Sequence, residues 1–246
     1  MQAYVTQRSS VPAADAGLLS ELMELAWPRR CVGCERLGVL LCERCEAAAP
    51  VIATERACPR CGAPYGVLIC TECYATDGPL PLSFSAAVSA YQFSGVAARL
   101  VTIYKDQHER RLAALCAERL ARAIPRQWLG WADLLAYIPA DRAKIRARGF
   151  DHMRLVAEHL TTLTGLEVCA CLQKKGGEDQ RALNREQRLR NLAGMLECVC
   201  PERVSGRRIL LIDDVITTTA TVEAASAVLI GAGAREVRVA SVCRVY

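Results

Sequence analysis

Residues 209–221 read Ile209-Leu210-Leu211-Ile212-Asp213-Asp214-Val215-Ile216-Thr217-Thr218-Thr219-Ala220-Thr221, and this stretch decides the fold. Its four leading apolar residues predict a strand buried on both faces, as strands of parallel sheets are. Two carboxylates follow, and a hydroxyl-rich turn then leads into an apolar segment at 222–230 that predicts a helix. We therefore expect Asp213 and Asp214 at the carboxyl end of a strand, where open α/β sheets bind ligands.

Around this stretch, the chain from 84 to 246 alternates between strand and helix patterns. Strands are predicted at 85–91, 134–139, 208–212 and 236–243, and helices at 96–105, 109–124, 153–164 and 222–230. Such alternation indicates an α/β domain with a central, mostly parallel sheet covered on both faces. A Pro-rich joint, Gly78-Pro79-Leu80-Pro81, precedes the domain and predicts a linker or turn.

The chain divides into three predicted parts: a helical lead-in at 1–27, a cysteine-rich module at 28–78 and the α/β domain at 84–246. With 52% hydrophobic and 23% charged residues, the composition excludes disorder as the dominant state. No apolar run reaches the roughly 18 residues of a spanning helix, and the first residues lack the order of a signal peptide. We therefore expect a cytoplasmic, reducing location.

Charge is unevenly distributed along the chain. Residues 1–83 hold 7 basic and 9 acidic residues, whereas residues 84–246 hold 24 basic and 17 acidic ones. The net positive charge of the second part favours phosphorylated partners.

Eight of the 14 cysteines form two matching quartets. The first comprises Cys31, Cys34, Cys42 and Cys45, and the second comprises Cys58, Cys61, Cys70 and Cys73. In a reducing compartment, paired C-x2-C spacing predicts metal ligation, and four thiolates leave no open position for substrate, so we expect two structural Zn²⁺ ions. Pairing across the quartets, an iron–sulfur cluster and free or transiently oxidised cysteines are the alternatives.

The remaining cysteines lie in apolar or strand-like settings, which predicts small core residues. They are Cys116, Cys169, Cys171, Cys198, Cys200 and Cys243. The alternative is a third metal site formed by Cys169, Cys171, Cys198 and Cys200.

The threonine-rich turn predicts a phosphate site, because its amides and hydroxyls can donate to a phosphate at the positive end of a helix dipole. Asp213 and Asp214 can accept hydrogen bonds from vicinal ribose hydroxyls or steady Mg²⁺, usually through water. The alternative is a pair of ordinary solvated carboxylates followed by a threonine-rich helix cap.

This stretch resembles the type I phosphoribosyltransferase signature, in which four apolar and two acidic residues precede Val-x-Thr-Thr-Gly-x-Thr. The resemblance implies that Asp213 and Asp214 hold the ribose of phosphoribosyl pyrophosphate. It further implies that the 5′-phosphate binds at Val215, Thr217, Thr218, Thr219, Ala220 and Thr221. Thr219 stands where the signature has Gly, so its side chain is expected to crowd the phosphate or to exclude a positive-φ backbone.

From Cys31 to Arg244 the chain resembles the ComF family, which pairs a cysteine-rich zinc module with a phosphoribosyltransferase-like domain. The matches are Lys105 after the first helix of the domain, Arg148-Gly149-Phe150, a Gln-x-x-Leu-x-x-x-x-Arg-x-x-Asn pattern at 180–191, and the acidic pair. Asp151 and His152 replace the family's Asn and Gln.

The ComF resemblance implies further site residues. Arg148 and Gly149 would lie in a pyrophosphate-binding loop, where Gly lets backbone amides approach an anion. A mobile flap at about 173–190 would close over the Mg²⁺-bound diphosphate through Lys174, Lys175, Arg185 or Arg188. His152 can be a pH-sensitive ligand or base, but we expect a hydrogen-bonded surface residue beside Asp151.

Two functions of different classes follow. The first is a protein that binds phosphoribosyl pyrophosphate and transfers the phosphoribosyl group to a base that the sequence does not identify. The second, which the ComF association with competence and DNA utilisation implies, is a non-catalytic accessory of DNA uptake that binds single-stranded DNA or docks on a protein. A purely structural zinc adaptor does not explain the order of residues 213–221.

Overall fold

The computed structural model describes residues 27–75, 78–175 and 195–246. The strands of its main sheet are β3 (Ala86–Gln92), β4 (Leu134–Tyr137), β5 (Val168–Cys169), β8 (Arg208–Ile216) and β9 (Glu236–Arg244). Their order is β3-β9-β8-β4-β5, and every neighbouring pair is parallel. The predicted α/β class with a central parallel sheet is confirmed. The predicted helical lead-in at 1–27 lies outside the described residues except for Trp27.

Two short antiparallel pairs accompany the main sheet: β1 (Tyr74–Ala75) with β2 (Gly78–Pro79), and β6 (Leu172–Lys174) with β7 (Leu196–Cys198). The helices are α1 (Glu43–Ala47), α2 (Gly95–Asp106), α3 (Leu112–Ala123), α4 (Arg126–Trp131), α5 (Arg142–Arg148), α6 (His152–Thr164), α7 (Pro201–Val204) and α8 (Ala220–Gly231). None of the helices in this described part is long and apolar enough to cross a membrane.

The sheet lies between two apolar layers because β8 alternates its side chains. Leu210 and Ile212 pack in the core formed with α2, α3 and α6, whereas Ile209 and Leu211 pack in the core that contains α8. All four are fully buried, as the continuous apolar run predicts for a central parallel strand.

The predicted end of β8 was wrong. The strand continues to Ile216, so Asp213 and Asp214 lie within it rather than at its tip. The reason is that β9 is long enough to pair with β8 up to Ile216. On the other side, the last hydrogen bond to β8 runs from the Ile138 amide to the Ile212 carbonyl at 3.1 Å, and the Ala140 amide donates instead to Asp151 Oδ2. The carboxylates therefore still lie beyond the end of β4.

The cysteine-rich region packs directly against the sheet domain. The Ile52 amide donates to the Ala90 carbonyl at 3.0 Å, and Val32 is buried in the helical core. Gly62 has a φ of +70°, and a Cβ there would lie 2.8 Å from the Ala87 carbonyl oxygen. A small cysteine-rich module therefore precedes the α/β domain, as predicted, and contacts it closely.

Candidate functional site

A cleft of about 540 Å³ opens between α2, α5 and the end of β8. Its walls include Lys105, Lys144, Arg148, Val215 and Thr217. Three of these side chains are cations, Lys105 from α2 and Lys144 and Arg148 from α5, and Thr217 begins the turn that leads into α8. Every one of the five except Lys144 is a predicted ligand-binding residue, so the fold brings them to one place.

The threonine turn presents unused backbone donors. Thr217 and Thr218 are exposed, and Thr219 is half-buried. Within the described chain, the amides of residues 217–221 donate no hydrogen bond, whereas the Thr217 carbonyl accepts one from Arg244. The Thr217 carbonyl is thus directed inward, and the amides of residues 217–221 stay free to donate beside the cleft. Free amides at the start of a helix suit an anion.

Thr219 adopts φ −68° and ψ −2°, in the right-handed helical region. The turn therefore needs no positive φ at the position where the resembled signature has Gly, and Thr occupies it without backbone strain.

Asp214 is buried, with 7% of its surface exposed. It accepts a hydrogen bond from His152 Nε2 and lies 2.7 Å from Lys105 Nζ through the same oxygen, Oδ2. Burial alone would raise the pKa of Asp214, but the His152 hydrogen bond and the charge of Lys105 outweigh it and lower that pKa. Asp214 is therefore an ionised, paired carboxylate, and the alternative of ordinary solvated carboxylates is wrong.

The expectation of a surface His152 was also wrong, since only 6% of its surface is exposed. His152 is the first residue of α6, and Asp151 caps that helix by accepting from the Met153 amide at 3.1 Å. This cap directs the start of α6 toward β8. Among the described residues, His152 Nδ1 has no hydrogen-bond partner.

Asp213 points to the opposite face of β8 and is 8% exposed. Burial, followed by the neighbouring charge of Asp214, raises the pKa of Asp213. Its Oδ1 accepts from the Asp214 amide at 2.9 Å, and its other oxygen has no hydrogen bond to a described residue. The two adjacent carboxyl groups therefore have opposite protonation tendencies.

Arg148 reaches the cleft from the end of α5, where Gly149 terminates the helix with a φ of 81°. Its Nε donates to the Lys105 carbonyl at 2.6 Å, and its guanidinium lies 5.9 Å from the Phe150 ring centre. Within the described residues, Nη1 of Arg148 is buried without a partner. An unpaired buried guanidinium donor is costly, and an anion in the cleft would relieve that cost.

The predicted flap is described only at its beginning. Lys174 Nζ lies 3.3 Å from Asp141 Oδ1, and Lys175 Nζ lies 3.8 Å from a carboxylate of β7. Arg185 and Arg188 lie outside the described residues, so their role stays a prediction.

Each cysteine quartet gathers its four sulfur atoms within 4.8 Å of one another. The sets are Cys31, Cys34, Cys42 and Cys45, and Cys58, Cys61, Cys70 and Cys73, which is the pairing within each quartet that we favoured over crossed pairing. Sγ–Sγ distances are 3.7 Å for Cys34–Cys42 and 3.5 Å for Cys61–Cys70. Such spacing suits four thiolates around one ion with metal–sulfur bonds of about 2.3 Å.

Backbone amides also point at the sulfur atoms. The Cys42 amide lies 3.4 Å from Cys31 Sγ, and the Cys70 amide lies 3.4 Å from Cys58 Sγ. Although burial opposes ionisation, such backbone donors lower the pKa of Cys31 to about 6 and that of Cys58 to about 7. Cys31 in the first quartet and Cys58 in the second therefore favour the thiolate, the form that binds metal, whereas burial raises the pKa of Cys45 to about 12 and that of Cys70 to about 11.

The third cysteine group is less complete. Cys169 Sγ and Cys200 Sγ lie 3.6 Å apart, but no three of Cys169, Cys171, Cys198 and Cys200, all of them described, gather within 4.8 Å. These four instead border the core beneath α8, and Cys116 and Cys243 are buried in the other core, as predicted for small core residues.

Arg244 is a site residue that the sequence did not reveal. It is 0% exposed, and its Nη1 donates to the carbonyls of Ile216, Thr217 and Val245. A lone Arg at the end of an apolar strand was the available signal, since a fully buried Arg requires partners.

The chain is similar to the DNA utilization protein YhgH. The YhgH of Escherichia coli (strain K12) is 26% identical over 208 residues, which cover 83% of this chain and 90% of the relative. The YhgH of Salmonella typhi is 26% identical over 191 residues, covering 76% and 83%. No family model matches the chain.

Two solved structures are similar to part of the chain. One is an allosteric regulatory enzyme of purine biosynthesis, at 22% identity and a TM-score of 0.36. The other is the glutamine phosphoribosylpyrophosphate amidotransferase from B. subtilis complexed with ADP and GMP, at 24% identity and a TM-score of 0.37. The similarity covers 55% of this chain and about a quarter of each enzyme, 25% and 26%.

Proposed function

We propose that this chain is a ComF-type protein that binds phosphoribosyl pyrophosphate with Mg²⁺ in the cleft between α2, α5 and the threonine turn, and that it serves DNA utilisation. The observation that carries the proposal is the turn at 217–221, whose unbonded amides lie beside a cleft lined by Lys105 and Arg148. Amides at a helix start suit the 5′-phosphate, and the two cations suit the diphosphate. The name of the YhgH relatives supports the role in DNA utilisation.

The two carboxyl groups take different roles in this proposal. Asp214 is already bonded to Lys105 and His152, so it orients the Lys105 ammonium toward the diphosphate. Asp213 keeps one oxygen without a hydrogen bond to a described residue, and that oxygen accepts from a ribose hydroxyl.

Mg²⁺ fits this site only together with its ligand. Hard cations need oxygen donors, yet Asp214 is buried and paired with two nitrogen donors. The diphosphate oxygens and water therefore supply most of the coordination. When bound, the cation would neutralise charge on the diphosphate.

Transfer to a base would proceed by positioning and electrostatic stabilisation, without a covalent nucleophile. The bond between C1 of the ribose and the diphosphate oxygen breaks, a bond from C1 to a nitrogen of the base forms, pyrophosphate leaves, and any proton on that nitrogen passes to solvent. Lys105 and Arg148 stabilise the negative charge that grows on the departing pyrophosphate. Arg185 and Arg188 are proposed to close over it, and charge reversal at both that left affinity unchanged would remove them from the site.

The two cysteine quartets are proposed to hold structural Zn²⁺. Four thiolates around each ion leave no position for substrate, so the zinc contributes folding energy to residues 28–78 rather than chemistry. Since the thiols must stay reduced to bind metal, a cytoplasmic location is part of the proposal.

Calorimetric titration of the full chain with phosphoribosyl pyrophosphate and Mg²⁺ tests the binding. A panel of nucleobases added afterwards, with pyrophosphate release monitored, tests transfer. Arg148→Gln is expected to weaken binding at least tenfold, because it removes a charged donor from the cleft. Arg154→Gln is the matched control, since Arg154 is exposed and pairs with Glu158 on α6. Equal affinity of the two variants and the wild type would refute the site.

Non-catalytic binding of single-stranded DNA is the second candidate. The excess of basic residues at 84–246 and the name of the relatives favour it. Oligonucleotide affinity that falls steeply with salt, without any phosphoribosyl pyrophosphate binding, would establish this function instead.

A further inference from the structure

We propose that the second cysteine quartet positions the threonine turn through Arg244. Metal bound by the quartet would order it, and this order would set the affinity of the turn for a phosphate ester. This inference rests on the proposed function and makes Arg244 a positioning residue. The guanidinium of Arg244 is fully buried, and it donates hydrogen bonds both toward the threonine turn and toward the second quartet.

Toward the turn, Arg244 Nη1 donates to the carbonyls of Ile216 and Thr217. A peptide unit is planar and trans, so its carbonyl and amide point in opposite directions. Holding the Ile216 and Thr217 carbonyls inward therefore turns the Thr217 and Thr218 amides outward. Arg244 thus fixes the donors that are proposed to bind the phosphate.

Toward the cysteine module, Arg244 Nη2 lies 2.7 Å from Glu72 Oε2 and 3.9 Å from Cys61 Sγ. Glu72 belongs to the segment between two ligands of the second quartet, Cys70 and Cys73. Four thiolates around a divalent ion carry a net charge of about −2, and Glu72 adds another negative charge. A buried guanidinium needs such compensation, so an ordered quartet stabilises the conformation of Arg244 that holds the turn.

The first quartet serves as a control, because a glutamate beside it pairs with an arginine that does not bond to the threonine turn. Glu46, next to the ligand Cys45, lies 2.6 Å from the guanidinium of Arg119 on α3. Arg119 is 7% exposed, and it lines a cavity with Glu46 that shares no residue with the cleft. Each quartet therefore adjoins a glutamate that pairs with a buried arginine, but only Arg244 bonds to the threonine turn.

The experiment compares Glu72→Gln with Glu46→Gln in the full, zinc-loaded chain. Both variants are expected to keep the wild-type zinc content and to lower the melting temperature by a similar few degrees, because each removes the charged partner of one buried arginine. Only Glu72→Gln is expected to weaken phosphoribosyl pyrophosphate binding, by about tenfold in calorimetry. Glu72→Asp, which keeps the charge, is expected to restore most of that affinity.

The outcomes separate the two proposals. If both glutamine variants bind phosphoribosyl pyrophosphate with the affinity of the wild type, the coupling is overturned and the proposed function stands. An affinity loss of the same size in both variants also overturns it, because a general loss of stability would then explain the effect. A wild-type chain that binds no phosphoribosyl pyrophosphate overturns the proposed function, and the coupling with it.

Discussion

Lys105 Nζ lies 2.7 Å from Asp214 Oδ2, so a cation that borders the open cleft is held by a carboxylate buried in the central strand. Lys105 comes from the last turn of α2 and Asp214 from β8. The same carboxylate oxygen also accepts a hydrogen bond from His152 of α6. Three elements thus fix where one ammonium group stands, and preorganised charge of this kind binds an anion without a reorganisation cost.

Replacing Lys105 by Met is expected to reduce the affinity for phosphoribosyl pyrophosphate at least tenfold. The variant keeps the length of the side chain and removes the charge, while His152 still pairs with Asp214. Arg99→Met is the control, since Arg99 lies on the same helix and pairs with Glu35 outside the cleft. Calorimetry of both variants measures the effect, and a Lys105→Met protein with wild-type affinity would place the diphosphate elsewhere.

Substitution of Asp213 by Asn is expected to change how stability depends on pH. Burial and the Asp214 charge raise the pKa of Asp213 to about 8. In the unfolded chain a carboxyl titrates near 4, so the folded form retains a proton that the unfolded form has lost. Its contribution to stability is complete below about pH 4 and is lost as pH rises through about 8. Asn mimics the protonated carboxyl, so Asp213→Asn should exceed the wild type at pH 9 by on the order of 1–2 kcal/mol.

Denaturant unfolding at pH 5, 7 and 9 checks this. The difference in unfolding free energy between Asp213→Asn and the wild type is expected to shrink toward pH 5. Asp133→Asn is a control of opposite sign. The hydrogen bond from the Arg208 side chain lowers the pKa of Asp133 to about 2, so its contribution is present above about pH 4 and lost as pH falls through 2. Asp133→Asn should therefore be less stable than the wild type across this range. A stability gain for Asp213→Asn that did not depend on pH would argue against a protonated Asp213.

Much of the fold follows from local sequence patterns. The apolar run before Asp213 predicted the central strand because a parallel strand buried on both faces is mostly apolar rather than alternating. The paired C-x2-C spacing predicted the quartets because ligands close in sequence are close in space. These signals are local, and the structure contains both features.

Other features depend on which elements meet in three dimensions, and local pattern does not encode this. His152 is buried because the cap at Asp151 directs α6 toward β8, and Arg244 is buried because the cysteine module covers the end of β9. In the sequence, His152 is only a polar residue next to Asp151, and Arg244 is only an arginine at the end of an apolar segment. Likewise, the true end of β8 depends on how far β9 continues to pair with it.

Loss of one ligand from the second quartet is expected to remove one metal ion. Cys61→Ser should lower the zinc content from two ions per chain to one and destabilise the protein strongly, because metal-binding free energy is folding free energy in such modules. Cys116→Ala is the control: Cys116 is buried in the helical core away from both quartets, so it should keep two zinc ions and cost about 1 kcal/mol. Metal analysis measures the zinc content, and thermal unfolding measures the stability. An unchanged zinc content in Cys61→Ser would contradict the ligand set.

Replacing Thr219 by Gly tests the one position of the turn that differs from the resembled signature. Because Thr219 has a φ of −68°, glycine relieves no strain there, and its extra freedom in the unfolded chain should lower stability by roughly 0.5–1 kcal/mol. The amides of the turn are held by Arg244 through neighbouring carbonyls, so affinity for phosphoribosyl pyrophosphate should stay within about twofold of the wild type. Thr162→Gly on α6 serves as a control for the general cost of glycine, since Thr162 is exposed and does not line the cleft. A tenfold gain in affinity for Thr219→Gly would show instead that the threonine side chain crowds the phosphate, since nothing else about the turn changes.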